Sequence, residues 1–452
     1  RRREAAALQR VIAGGGDPIV ATGGGCAAYA DNLDRMRAAD IVIALHVDAA
    51  QTVQRASGGP ERPLLKQAEE LAVRRAPIYR RAHAVIDTTS RTIDEVAERV
   101  LFAEKYPEGD DVVVELGGRS YRVTFANGFA IRGSLGSHKF VVITDRNVAR
   151  HYRLRHETIE IEPGEASKSF ATYERLCNEL VARGLDRHST ILALGGGVVG
   201  DLAGFVAATL FRGIDIIQVP TTLVAMTDSA IGGKTAIDLP AGKNLVGAFH
   251  QPKAVEVNLA TLATLPERER RAGFGELWKY ALLDGPELWR AIDACTAWAT
   301  SGGPAPPELR DVIRACVAYK AQIVSRDERE RTGHRALLNL GHTIGHAIES
   351  DSGMHHGEAV GLGLVAAARV SAALGLARPE LEAEIVAALQ RTGLPSGVEP
   401  YLRDDVLARV GVDKKRVADK VRFIAIREVG RCEPVEITIT DLRRILRRND
   451  AP

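Results

Sequence analysis

No apolar run in the 452 residues approaches the ~20 needed to cross a bilayer as a helix, so the sequence calls for no membrane span. The start, Arg1-Arg2-Arg3-Glu4, has no Met and leads into no apolar stretch, so it is not expected to be a signal peptide. We therefore expect the sequence to begin inside a longer chain. Neither sign of charge is in excess. Sixty Lys and Arg against 58 Asp and Glu leave +2, which is no electrostatic footprint for nucleic acid or an anionic membrane. The five cysteines (Cys26, Cys177, Cys295, Cys316, Cys432) are odd in number, and no pair has metal-ligand spacing. That argues against a disulfide framework or a cysteine zinc site, and for free thiols in a reducing cytoplasm. No internal repeat is found. Neither Lys234 nor Lys243 completes a Gly-x-x-x-x-Gly-Lys-Ser/Thr loop.

What is present reads as two or three domains. Residues 1–105 form a small α/β piece. Pro18 to Thr22 reads as a buried strand before Gly23-Gly24-Gly25, and Ile41 to Leu45 as a second. A helical face of Ile93, Val96, Val100 and Leu101 closes the piece. Tyr106 to Asp111 is the expected boundary. From there, strand and helix signals alternate to about residue 265. Phe140–Asp145, Thr190–Leu194 and Ile214–Val219 read as strands and Ala171–Ala182 as an amphipathic helix, a rhythm that predicts a parallel sheet. Residues 266–452 are mostly helical by period, with a β-like stretch only at Val421–Ile426.

Three patterns carry chemistry. Ile191-Leu192-Ala193-Leu194 runs into Gly195-Gly196-Gly197-Val198-Val199-Gly200, the strand, turn and helix start of a dinucleotide loop. Its glycines admit a pyrophosphate and the helix N-terminus supplies N–H donors. By spacing, Asp215 is the ribose acid or simply a turn residue. In the helical half, His342 and His346 share a helix face at i, i+4, read as one helix with Arg335 and Asn339. With Glu276 or His356 from other elements they suit a catalytic metal with an open position. Thirdly, Asp228 to Lys234 and Ala241-Gly242-Lys243-Asn244 set lysines beside glycines, as a phosphate or carboxylate site needs.

Taken together, residues 112 to about 440 resemble the 3-dehydroquinate synthase family. The blocks are Thr144 to Val148, Pro163 to Lys168, Gly195 to Phe205, Arg212-Gly213-Ile214, Val219 to Thr222, Asp228 to Lys234, Pro240 to Gly247 and Leu265 to Arg268. They continue through Glu276 to Tyr280, Arg335 to Glu349, His356 to Val360 and Asp413-Lys414-Lys415. The resemblance implies an α/β NAD-binding domain over 106–265, then a mostly α-helical metal-binding domain over 266–452. It makes Asp145, Asn147, Glu165, Lys168 and Gly196 NAD contacts, with Gly197, Asp201, Thr221, Thr222 and Thr264. It makes Glu276, His342 and His356 the ligands of one divalent ion, zinc or cobalt, and moves His346 to the substrate side. Lys234, Lys279, Lys320, Arg335 and Asn339 join His346 as catalytic residues. Asp228, Lys243, Asn244 and one of Lys414 and Lys415 bind substrate, and Arg212 reaches a neighbouring subunit's site, which implies a homodimer. The stretch from Arg329 to His334 is one residue longer than the family's. The shortened loop before His356 leaves His355 as its competitor.

Residues 1–105 resemble the later part of shikimate kinase, a partial P-loop kinase-like α/β segment. Arg1 and Glu4, the triplet Gly23 to Gly25, Arg62 to Leu65 and Arg75 to Tyr79 carry the likeness. The family's Walker loop has no counterpart, so no kinase turnover is expected, and a kinase–synthase fusion is implied. For the larger part, the resemblance implies conversion of 3-deoxy-D-arabino-heptulosonate 7-phosphate to 3-dehydroquinate and phosphate. NAD is reduced and reoxidised within each turnover, because a transient ketone acidifies the adjacent C–H. The substrate's own phosphate is a candidate proton acceptor. The rivals are another sugar-phosphate cyclase and a metal-dependent NAD alcohol or glycerol dehydrogenase, which has no need of so dense an anion site.

Overall fold

The computed structural model describes residues 2–14, 19–22, 25–39, 41–47, 51, 71, 75, 78–79, 82, 84–89, 91–105, 111–126, 139–152, 156–410, 416–417 and 420–447. Gly23, Gly24, Arg62 to Leu65, the boundary at 106–110 and the pair Lys414 and Lys415 lie outside the described residues. The chain divides into two compact units, Arg1–Gly109 and Asp110–Pro452.

In the first unit, β1 (Ile43–His46) pairs in parallel with β2 (Ala84–Asp87), accompanied by helices Arg2–Gly14, Asn32–Ala39 and Ile93–Lys105. Ile43, Ile86 and Val100 pack together, whereas Ile93 and Leu101 of the expected face are exposed. Residues 19–22 are not the buried strand expected. They carry no regular structure, and Ile19 is fully exposed. A strand needs a neighbour for its backbone N–H and C=O groups, and among the described residues none pairs with this one.

The second unit is built on β3 (Asp111–Val114), β4 (Tyr121–Ala126), β5 (Phe140–Asp145), β6 (Thr158–Ile161), β7 (Thr190–Gly195) and β8 (Asp215–Pro220). A hairpin of β9 (Lys234–Leu239) and β10 (Gly242–Phe249) stands apart, and β11 (Ala254–Asn258) rejoins the sheet. The order is β3-β4-β11-β8-β7-β5-β6, parallel except at β3–β4. The central strands β5, β7 and β8 read as near-continuous apolar runs because both faces are covered. Val141, Ile143 and Ile191 pack with Leu176, Leu180 and Leu202 on one side; Val142, Leu192 and Ile217 pack on the other. From β5 the chain steps outward to β6, then crosses back to β7, so the order reverses between β5 and β7. Ligands of such sheets sit beyond the carboxyl ends of the strands at this reversal, here Asp145 and Gly195.

Helices dominate after Pro266, including Glu267–Asp284, Pro307–Arg326, His342–Ser352 and His356–Ala373. Arg335 and Asn339 do not share a helix with His342. They lie on a separate 3₁₀ turn, His334–Asn339, which ends before Gly341, at φ 77°, starts the next helix. A small antiparallel sheet of β12 (Arg416–Val417), β13 (Lys420–Glu428) and β14 (Arg431–Thr438) closes the unit. β14 escapes sequence reading because Arg431-Cys432-Glu433-Pro434 breaks the apolar alternation; proline is tolerated there because the strand is an edge. Among the described residues no helix is long and apolar enough to cross a membrane.

Candidate functional site

A cleft of about 1860 Å³ opens beyond the carboxyl ends of β5, β7 and β8, with the helical half as its far wall. Such a volume exceeds the ~300–1,000 Å³ of a typical single-ligand pocket and suits two ligands side by side. Of the described site residues that the family resemblance names, all line it except Glu276, Lys279 and Arg212, and Asp215, nominated by spacing alone, does not. The first two are buried behind the wall, and Arg212 is on the outer surface.

On the sheet side, the helix Gly197–Thr209 starts at Gly196 with no side-chain cap, so its first N–H groups are left for a ligand. A Cβ on Gly197 would lie 3.1 Å from Ser229 Oγ, which is why this wall of the cleft is bare backbone. Asp145 caps the helix Arg146–His151, accepting from the backbone N–H groups of Asn147 and Val148 at 2.8 and 3.0 Å. Lys168 is 3% exposed and holds Asp201 at 2.9 Å and Glu165 at 3.3 Å, and it also donates to Asn244. Burial works against its charge, but Asp201 and Glu165 outweigh it and raise the ammonium above its ordinary value. Thr264 meets Tyr152 at 2.8 Å. Asp215 is no ribose acid. It stands at the start of β8, ion-paired to Lys253 at 2.6 Å, whereas Gly195 faces Pro220 at the other end, roughly 17 Å of strand away.

Opposite, Glu276 is fully buried on the helix Glu267–Asp284, and its Oε1 lies 3.1 Å from His356 Nε2 and 3.5 Å from His342 Nε2. The three ligand atoms fall within 4.8 Å of one another. His342 Nδ1 sits 3.0 Å from the Leu340 carbonyl and donates to it, leaving Nε2 with its lone pair toward Glu276. Burial drives His342 well below the ordinary histidine value, so the ring is neutral, as a ligand must be. His356 stands between two carboxylates, Glu276 and Glu349. Burial opposes its charge, but their hydrogen bonds raise it to about 10, so this corner favours positive charge. One carboxylate and two imidazoles with converging atoms fit a three-ligand site for a divalent ion. His346, Glu349 and His356 form a second trio, but a more exposed one: His346 is exposed, whereas Glu276 and His342 of the first are buried. His355 turns away to Glu269, at 3.2 Å.

Between the two regions lies a cluster of cationic side chains. Asp228 is an internal counter-ion, 2.9 Å from Lys320, 3.4 Å from Lys279 and 2.6 Å from the Tyr280 hydroxyl. Burial works to raise its carboxyl, yet the two lysines hold it well below the carboxylate range. Lys279 also reaches Glu276 at 2.5 Å, which places it behind the carboxylate–imidazole trio rather than in the cleft. Arg335 is aimed by its bonds to the carbonyls of Gly232 and Glu328 at 3.1 and 2.6 Å. Lys234 and Lys243 are about half exposed, each on a carboxylate of its own chain: Glu330 at 2.5 Å and Glu349 at 2.7 Å.

Sequence reasoning missed Glu330 and Glu349. Glu349 carried a signal, because His342, His346 and Glu349 stand at i, i+4 and i+7 on one helix face. Glu330 carried none; it acts through a left-handed backbone, φ 56°, that only the fold imposes.

Two family models described as 3-dehydroquinate synthase, N-terminal and C-terminal, match residues 158–272 and 273–416, and one described as shikimate kinase matches residues 1–103. A 3-dehydroquinate synthase of Caulobacter vibrioides is 44% identical over 346 residues, covering 71% of this chain and 93% of that protein. One of Xanthomonas axonopodis pv. citri is 42% identical over 346 residues, with the same coverage of each. Among solved structures, 2-deoxy-scyllo-inosose synthase with carbaglucose-6-phosphate, NAD+ and Co2+ has a TM-score of 0.65 and 26% identity, over 75% of this chain and 99% of that one. The 2-epi-5-epi-valiolone synthase of Streptomyces hygroscopicus subsp. jinggangensis, with NAD+ and Zn2+ bound, shares the fold at TM-score 0.67 and 23% identity, over 74% of this chain and 96% of that one.

Proposed function

The chain belongs to the 3-dehydroquinate synthase family, and from that premise we propose how its residues convert 3-deoxy-D-arabino-heptulosonate 7-phosphate to 3-dehydroquinate and phosphate. Asp145, Asn147, Glu165, Lys168 and the bare helix start at Gly196 and Gly197 hold NAD, together with Asp201, Thr221, Thr222 and Thr264. Glu276, His342 and His356 hold one divalent ion. When bound, NAD takes up and returns a hydride, and the ion acts as a Lewis acid. Everything else is positioning. Lys234, Arg335 and Lys320 face one anionic end of the substrate and Lys243 with Asn244 the other, while Asn339 and His346 line the cleft beside the metal ligands. Fixing both ends holds the reacting carbon in one orientation, which removes most of the entropic cost of the chemical step. Lys279 and Asp228 hold Glu276 and Lys320 in place from behind.

The observation that carries this reading is the single cleft shared by a dinucleotide loop, a convergent carboxylate–imidazole trio and a group of cations. A dehydrogenase would have no use for the last. With NAD and Zn2+ or Co2+ supplied, the purified chain should release phosphate and form a cyclic product without net NADH. NADH accumulating in step with substrate loss would sink the cyclase reading.

Arg212 supports a homodimer. Phe211 and Arg212 both adopt left-handed φ, 52° and 69°, on an exposed corner outside the chain's own cleft. Two adjacent bulky residues held there store backbone strain of the kind found at functional contacts. The five cysteines, all free, suit a reducing cytoplasm. Residues 1–105 add the shikimate kinase-like part of a two-enzyme fusion.

A further inference from the structure

Glu349 divides its carboxylate between the two halves of the cleft: Oε2 lies 3.0 Å from His356 Nδ1 and Oε1 lies 2.7 Å from Lys243 Nζ. We propose that Glu349 is a positioning residue that couples the metal site to the Lys243 anion subsite, so that an anion drawn to Lys243 tightens the metal and the metal tightens the anion. The inference rests on reading Glu276, His342 and His356 as the metal ligands.

The geometry argues it as follows. The two imidazoles of the trio are oriented differently. His342 Nδ1 is held by a neutral carbonyl, that of Leu340, whose effect on the ring is constant. His356 Nδ1 is held by a carboxylate, while its Nε2 points to Glu276 Oε1 at 3.1 Å. An acceptor on the far nitrogen of a metal-bound histidine fixes the tautomer and raises the ring's donor strength, and a charged acceptor does so most. How much of that charge reaches His356 depends on Lys243, which neutralises the other oxygen. Glu349 is only 10% exposed, so this division is little screened by water. Lys243 is 45% exposed, on β10 at the cleft wall, where an incoming anion can reach it. Once its ammonium turns to that anion, the full carboxylate charge of Glu349 falls on His356 Nδ1–H and strengthens Nε2 as a donor. Linkage makes the effect reciprocal. The helix His342–Ser352 carries both His342 and Glu349, and the next helix starts at His356, so one short connection sets all three groups.

The test is a double-mutant cycle on the full chain, reading the Zn2+ or Co2+ dissociation constant by chelator competition, without NAD or substrate. We expect Glu349→Gln to weaken the metal by roughly ten- to a hundredfold, the usual scale for such an outer partner. Lys243→Met should tighten it severalfold in the parent chain and leave it unchanged beside Glu349→Gln. Parent-like affinity in Glu349→Gln, or the same Lys243→Met shift in both backgrounds, overturns the proposal. If Glu349→Gln fails to fold, Lys243→Met decides alone: no tightening rejects it. His342→Ala separates the two levels, because a His342→Ala chain that keeps parent affinity refutes the ligand assignment itself.

Discussion

Gly275 and Gly357 meet where two helices touch backbone to backbone: a Cβ on Gly275 would lie 2.0 Å from the Gly357 carbonyl oxygen, and one on Gly357 would lie 1.7 Å from that of Ala272. Their chain neighbours are Glu276 and His356. The crossing is therefore what brings a carboxylate from one helix within 3.1 Å of an imidazole at the start of another. The third member of the trio repeats the device: Gly341 precedes His342, and a Cβ on Gly363 would lie 1.9 Å from the Gly341 oxygen.

Gly357→Ala should accordingly lose metal and stability together, because the clash is with backbone, which no rotamer change relieves. A loss of about 1–3 kcal/mol or more is the scale of such overpacking. Gly361→Ala on the same helix meets only the end of the Leu389 side chain, at 3.1 Å, and should be mild. Thermal melts and metal content of the two variants check the contrast; equal behaviour would mean that the crossing is not what builds the site.

His356→Ala should abolish metal binding and turnover, whereas His355→Ala, whose ring faces Glu269 at 3.2 Å, should keep both. The reverse result would exchange the two neighbours in the ligand set.

Glu330 occupies the cations that the proposed function gives to the substrate, 2.5 Å from Lys234 and 3.9 Å from Arg335. Its loop is pinned by Asp327, which accepts the backbone N–H groups of Arg331, Thr332, Gly333 and Arg335 at 2.8 to 3.2 Å. Glu330→Gln should lower the substrate KM by roughly two- to fivefold, the worth of a partly exposed ion pair. A KM that rises instead would make Glu330 a substrate-holding group.

Lys320 supplies the pH dependence. Burial, opposed by Asp228 and reinforced by Arg335 and Lys279, lowers it to about 8 from an ordinary 10.5. Its charge, needed for an anion, is thus present below about 8 and lost above, so kcat/KM should fall on that basic limb. Lys320→Arg should move the limb upward. For stability the sign is opposite. Between pH 8 and 10.5 the unfolded chain holds the extra proton, so this group's contribution is complete above 10.5 and is lost as pH falls through 8. Lys320→Met should therefore gain on the parent in thermal melts below pH 8 and less so above 10.5. A basic limb that stays in place in Lys320→Arg would assign it to another group.

Residues 1–105 should give no ADP from ATP and shikimate within this 452-residue chain. Phosphoryl transfer needs a glycine-rich loop with a lysine to cradle the phosphates, and Gly23-Gly24-Gly25 is followed by Cys26-Ala27. Activity above that of a variant lacking these residues would show the loop to be dispensable.

The sequence by itself determined the local elements and the chemical types. The runs at 140–143, 191–194 and 216–217 are apolar because a covered parallel sheet requires it, and the glycine turn after β7 is legible because a helix start against a strand end admits no side chains. Ligand types were likewise in the text, since Glu276, His342 and His356 are each beside a glycine. What the sequence could not decide is which of them meet. Spacing along one helix paired His342 with His346, and spacing along the chain nominated Asp215. The structure keeps His346 against His342, ring centroids 5.1 Å apart, but adds Glu276 and His356 from other helices, and it puts Asp215 at the far end of the sheet. Convergence of side chains dozens of residues apart depends on how closely helices cross, and that follows from packing rather than from any local period. The same holds for charge: Lys279 and Lys320 are held by Asp228, and Lys234 and Lys243 by Glu330 and Glu349, only because folding brings those groups side by side.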